Sequence, residues 1–265
     1  MLGQLIPGDE IARLAGTHWW AGTSEIGLAR AGRSLGCRIE LHRLRSPETA
    51  KRELQRRLQC RVPVLLCVDG WEHWIAVLSA EKGGFVVADS NLDPVLNVLT
   101  WPQLHRRWRY LDHDYDEVDP PALYEMYPVE PNFRVQMRAD LSVARVRFLR
   151  RPENRNLALH WNTYLEDLLV LCKPPSKRTG QRLSMAEFLR RNQELILSRV
   201  SYWHGDVEKR ALLKLLGRYR FVAETYGLAI PAAQAKQAFA DVVILTTLWA
   251  AASRGVGDMY GTGER

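Results

Sequence analysis

One histidine and one aspartate stand out in residues 62–91, VPVLLCVDGWEHWIAVLSAEKGGFVVADSN, because nearly everything around them is apolar. Three short apolar runs, 62–68, 73–79 and 85–89, are separated by Asp69-Gly70 and by Lys82-Gly83-Gly84. That pattern predicts consecutive antiparallel strands joined by tight turns. With the second turn centred on Lys82, paired positions sum to about 164, so His73 lies opposite Asn91 and Asp89 sits one diagonal away on the same face. An imidazole beside a carboxylate is held in one tautomer and supported when it gains a proton, which is the base-and-orienter half of nucleophilic catalysis. The same spacing also describes a buried His–Asp hydrogen bond that does no more than stabilise the sheet. Trp71 and Trp74 flank His73 and, with Asn91, are the candidate lining of a substrate cleft.

A nucleophile is harder to find. The four cysteines are Cys37, Cys60, Cys67 and Cys172. Cys37 falls just beyond the C-terminal end of a predicted helix, where the dipole disfavours a thiolate. Cys67 lies inside an apolar strand, where burial raises a thiol's pKa. None forms a C-x-x-C pair, so neither a disulfide scaffold nor a structural zinc site is expected, and a reducing, cytoplasmic setting fits the chain. No metal and no cofactor are expected. The acidic run at 112–119, DHDYDEVD, lacks the glycine and terminal glutamate of a calcium loop and reads as a solvated linker.

The elements that must hold the pair follow from periodicity and caps. Residues 8–15 read as a short helix with acids in its first turn. A Thr or Ser cap starts a second helix within 22–36, with Ile26, Ala29 and Leu35 on its buried side and Gly36 closing it. A strand at 37–44 precedes a helix opened by Ser46-Pro47-Glu48. After the three strands come a fourth at 95–99, a helix at 101–108 and Tyr110-Leu111. The fold class is α+β, with two domains divided at the acidic run: 1–119, an antiparallel sheet with helices, and 120–265, mainly helical. Residues 123–149 alternate in part and add a strand or a hairpin. Helical spacing recurs at 157–171, 185–202, 207–226 and 231–252, and the last of these is apolar nearly all round, as expected of a helix buried on every side.

The net charge of +7 is unevenly placed: residues 1–120 carry 15 basic against 16 acidic side chains, and 121–265 carry 22 against 14. Attraction for phosphate therefore belongs to the second half, with Lys173, Lys177, Arg178 and Arg182 as a candidate phosphate-binding set and nucleic acid as a possible partner. The longest uncharged apolar run, 242–252, is too short to span a bilayer, so no membrane span is expected.

Taken together, residues 8–112 resemble the bacteriocin-processing family of papain-like cysteine peptidases, which cleave double-glycine leaders. The matching order is the short helix at 9–15, Gly22-Thr23 opening a helix that ends Leu35-Gly36, a strand, a helix and Val62-Pro63-Val64-Leu65-Leu66. Then come the histidine in His73-Trp74-Ile75-Ala76-Val77, the aspartate in Val86-Val87-Ala88-Asp89-Ser90 and the tryptophan-bearing helix at 101–108. The resemblance implies a papain-like fold with His73 as general base and Asp89 as its orienter. It also implies a departure, because the helix that carries the family's nucleophilic cysteine lies upstream of everything matched here.

The expectation is a truncated peptidase-like domain without its nucleophile, acting as a peptide- or protein-binding or regulatory subunit, with a protein partner or self-association and an apolar groove where the absent helix would lie. Two alternatives remain open. One is an active cysteine peptidase whose cysteine helix lies upstream of Met1 or comes from a partner. The other is nucleic-acid binding by the basic helical half.

Overall fold

The computed structural model describes residues 2, 6–18, 20, 22–111, 121–135, 138–172, 181–204 and 207–252. They divide into two units, Met1–Gln136 with Leu141–Arg150, and Met137–Asp140 with Arg151–Arg265. The acidic run at 112–119 lies outside the described residues.

The first unit opens with α1 (Gly8–Ala15) and α2 (Glu25–Ser34), packed on one another. Ser24 caps α2 by accepting from the Gly27 N–H. The sequence predicts Ile26, Ala29 and Leu35 on the buried side of α2, whereas Ile26 is 75% exposed and the buried residues are Gly27, Ala31 and Gly32. Close approach is the reason: a Cβ on Gly27 would stand 2.4 Å from the Ala15 carbonyl oxygen. The helices meet through small residues, a signal that apolar periodicity does not carry.

The predicted strand at 37–44 is two, β1 (Cys37–Ile39) and β2 (His42–Leu44). Next come α3 (Pro47–Gln59), β3 (Val64–Val68), β4 (His73–Glu81), β5 (Gly84–Asp89), β6 (Leu96–Leu99), α4 (Trp101–Trp108), β7 (Tyr110–Leu111) and β8 (Ala122–Pro131). The sheet order is β1-β8-β3-β4-β5-β6, with β2 and β7 also pairing with β8, and every pairing is antiparallel. Because four strands pair with β8, the first unit runs past the division expected at residue 119.

On one face of the sheet, Val64, Leu66 and Val77 meet Leu54 of α3 and Leu104 of α4, all fully buried. The start of α3 is set by Ser46, whose hydroxyl accepts from Thr49 N–H, and by Pro47 at its first position. A capping box between Thr100 and Gln103 starts α4. Residues 143–149, read from sequence as part of a strand or hairpin, form α5 (Val143–Leu149). Its three-residue spacing of Val143, Val146 and Leu149 is helical, and all three are buried. It docks along β4, β5 and β6, where Ser79 Oγ donates to the Leu141 carbonyl at 2.7 Å.

The second unit contains α6 (Arg155–Leu159), α7 (Trp161–Leu171), α8 (Met185–Arg191), α9 (Gln193–His204), α10 (Lys209–Tyr226) and α11 (Ala235–Ala251). A two-stranded ribbon of β9 (Arg182–Ser184) and β10 (Ala229–Pro231) has no counterpart among the elements expected from sequence. In this unit α10 packs on α7 and α8, and α11 on α9. The expectation that the last helix is buried on every side fails within the chain: Val242, Thr246 and Trp249 point inward, while Ile244 and Leu248 are 57% and 56% exposed. Among the described residues no helix is long and apolar enough to cross a membrane.

Candidate functional site

The β4–β5 hairpin decides whether His73 and Asp89 can meet. Its turn is centred between Lys82 and Gly83, since Glu81 pairs with Gly84, Ala80 with Phe85 and Ser79 with Val86. Continued unbroken, that register would set Asp89 opposite Ala76 and turn it to the far side of the sheet from His73. A bulge between Val77 and Ser79 absorbs one residue, after which Val77 pairs with Val87 and Ile75 with Asp89. The expected diagonal is thereby reached, although through a displaced turn and a compensating bulge. Asn91 does not face His73 in the ladder, because β5 ends at Asp89. Its backbone N–H instead donates to Asp89 Oδ1 at 3.0 Å.

His73 Nε2 lies 2.7 Å from Asp89 Oδ1, and the aspartate is 1% exposed. Its second oxygen, Oδ2, accepts from Arg107 Nη1 of α4 at 2.7 Å. Burial alone would raise the Asp89 pKa; the hydrogen bonds from Arg107, His73 and the Asn91 N–H, together with the arginine's charge, outweigh it and leave the pKa lowered. The carboxylate is therefore ionised and can only accept, so His73 carries a proton on Nε2. In the neutral ring Nδ1 is left as the acceptor, and among the described residues nothing hydrogen-bonds to it. Such an imidazole can take a proton from a group that comes within hydrogen-bond reach of Nδ1.

The described cysteines do not supply that group. In the β3–β4 ladder Val68 pairs with His73 and Cys67 with Trp74, so the Cys67 side chain points to the opposite face from His73. Burial, reinforced by Glu125 and Glu25, pushes its thiol up to about 11. Burial likewise raises Cys37, and Cys172 to about 12. Cys60 is exposed at the end of α3. The expected bare groove is also missing from the His73 face of the sheet: α3 and α4 fill it, with Val68 and Ile75 at 1% exposure. Partly exposed apolar side chains, Leu65, Ala76 and Ala88, lie on the other face instead.

Neither flanking tryptophan lines the His73 side of the sheet, contrary to what the sequence suggests. Trp71 ends the β3–β4 turn, in which Asp69, Gly70 and Trp71 all have positive φ, at 56°, 75° and 69°. Its ring stacks on Tyr110 at 3.7 Å and 10°, and the Arg43 guanidinium carbon stands 5.9 Å from its centroid. Trp74 points away from His73, donating from Nε1 to the Thr23 carbonyl at 2.9 Å and meeting Tyr127 edge-on. Tyr110 pairs with Leu123 and Arg43 with Glu125, positions on the opposite face from Met126, Leu66 and His73, so the Trp71 stack is built on the far side of the sheet from the His73 ring.

Sequence reading missed Arg107, Asp69 and Glu125. Arg107 looks like one more base on a solvated helix face, and only its position beside the buried Trp108 hinted otherwise. Glu125 is the single acid in the apolar run Leu123–Val129 and is buried, where Arg43 Nε at 2.8 Å and Tyr127 OH at 3.1 Å donate to it.

Of the candidate phosphate-binding set, Lys173, Lys177 and Arg178 lie outside the described residues. Arg182, on β9, donates to the Ala229 carbonyl at 2.8 Å. Among the described residues no cluster of three or more His, Cys, Asp or Glu side chains is placed to hold a metal ion. No family model matches the chain, and no characterised protein is similar to it in sequence.

Proposed function

We propose that the first unit is a peptidase-like module that keeps a general base and its orienting carboxylate, lacks the nucleophile, and binds an extended peptide or protein segment without cleaving it. The observation that carries this reading is the His73–Asp89–Arg107 arrangement, set with Nδ1 unengaged while the buried thiols are raised and Cys67 faces away. The segment would run past the unengaged Nδ1 of His73. Fold alone does not argue function, so the resemblance to bacteriocin-processing peptidases supplies only the ligand class, a leader-type peptide ending in paired glycines. Four free cysteines, three of them buried, suit a reducing compartment, and we place the protein in the cytoplasm.

The test is titration of the full chain with a synthetic peptide ending in Gly-Gly, followed by mass spectrometry of the peptide. Saturable binding with the peptide intact, unchanged by iodoacetamide and weakened by His73→Ala, is the expected result. Absence of binding, or cleavage abolished by His73→Ala, overturns it.

A second reading is favoured by the unengaged Nδ1 itself, since a pure binding module has no need of an intact base. In it, a cysteine helix from an upstream segment or a partner chain is brought to His73 and the assembled site hydrolyses the peptide. Turnover that appears only when that segment is added, and disappears in His73→Ala, would distinguish it.

A further inference from the structure

The second unit contains a concavity of about 540 Å3 lined by one face of α10, the segment 152–159 and Trp249. Arg155, Arg210, Lys214 and Arg218 bring four positive charges to it, against two carboxylates, Glu153 and Glu208. Arg210, Lys214 and Arg218 follow one another at four-residue spacing, so three like charges repel along a single helix face, a cost that a bound anion would cancel. Arg218 is fixed in place, donating to Asn156 Oδ1 at 2.7 Å and to the Tyr164 hydroxyl at 3.0 Å. Neither Arg210 nor Lys214 makes an ion pair among the described residues, even though two carboxylates share the cavity. The wall includes Leu215 and Trp249, 1% and 5% exposed, and the Trp249 indole N–H is covered and without a hydrogen-bond partner.

We propose that this cavity binds a small organic phosphate carrying hydroxyl groups, of the sugar-phosphate or mononucleotide class. The phosphate dianion sits among Arg210, Lys214 and Arg218, where charge-assisted hydrogen bonds are strongest. Glu153 and Glu208 accept from the ligand's hydroxyls, a need that inorganic phosphate does not meet. The C–H face of the sugar lies against Leu215 and Trp249. A nucleic-acid backbone fits less well, since it calls for a basic track longer than this cavity and free of carboxylates.

Isothermal titration of the full chain with ribose 5-phosphate, with inorganic phosphate and with a short single-stranded oligonucleotide tests the assignment. The expected result is saturable binding of one ribose 5-phosphate per chain, tighter than inorganic phosphate. The double variant Arg210→Gln, Lys214→Gln changes two exposed side chains and should keep the fold by circular dichroism. It weakens binding by about tenfold or more. Glu153→Gln weakens ribose 5-phosphate while leaving inorganic phosphate unchanged. No saturable binding, affinity unmoved by the double variant, or an oligonucleotide that binds more tightly than the sugar phosphate would each overturn the proposal.

Discussion

Asp69 and Arg107 hold each other at both ends: the guanidinium donates to both Asp69 carboxylate oxygens at 2.6–3.1 Å, and the Asp69 backbone N–H donates to the Arg107 carbonyl at 2.7 Å. The β3–β4 turn is thereby tied to the last turn of α4. Arg107 Nη1 is left aimed at Asp89, so the histidine's partner is positioned by a residue on a different element and by an aspartate twenty positions earlier in the chain than itself.

Removing that arginine should be expensive. In Arg107→Met, Asp89 remains 1% exposed but loses its only fully charged partner among the described residues. A buried carboxylate stripped of its counter-ion costs about 3 kcal/mol, read as a lower urea midpoint at unchanged slope. Asp69→Asn, at a side chain 40% exposed, should cost no more than about 1 kcal/mol. Equal losses in the two variants would show that the pairing with Asp89 carries little of the effect.

The pH dependence has a definite sign. The Asp89 pKa is lowered on folding from its ordinary 3.8, so the ionised carboxylate contributes stability that is complete above that value and is lost as pH falls through the lowered one. Glu53, drawn down to about 2 by the hydrogen bonds from Arg56 and Arg57, adds to the same acid limb, but from a more exposed position. Asp89→Asn should lower stability at neutral pH and flatten the acid limb in urea titrations below about pH 4. A limb of unchanged steepness would mean that Asp89 is not ionised in the folded chain.

What the sequence could reveal depended on how local the cause was. Helix starts at Ser24 and Ser46 were legible because a cap is written within a few residues of what it caps. Strands β3, β4 and β5 were legible because apolar runs and turn residues alternate. The place of Asp89 relative to His73 came out as expected only because the turn and the bulge displace the register in opposite senses, and neither offset is visible in composition. Arg107, Asp69 and Glu125 were missed because their roles exist only when three distant segments meet. Gly27 and Gly32 were passed over because a packing surface made by absent side chains leaves no hydrophobic signature.

Gly84 is where the hairpin register can be attacked directly. Its φ is 131°, and a Cβ there would stand 2.7 Å from the Leu99 carbonyl oxygen and 3.0 Å from Val98 Cγ1. Alanine must therefore push β6 away as well as adopt a backbone region that side chains avoid. Gly84→Ala is expected to cost about 1–3 kcal/mol by chemical denaturation. In two-dimensional NMR the shifts should spread along β5 and β6, including Asp89. A variant as stable as the parent would show that the hairpin tolerates a shifted turn.

Cysteine reactivity separates a binding module from a hidden enzyme. Thiolate, not thiol, attacks an alkylating agent, so labelling follows both exposure and pKa. At pH 7.5, iodoacetamide should modify Cys60, which is exposed. Cys67, raised to about 11, and Cys172, raised to about 12, should be protected, as should buried Cys37, until the chain is unfolded. Peptide mapping with and without denaturant reads all four sites in one experiment. Were Cys67 to label faster than Cys60 in the folded protein, with the difference abolished by His73→Ala, its side chain would have to reach the imidazole across the sheet. The histidine would then have a nucleophile to serve, and the account of a base without one would fall.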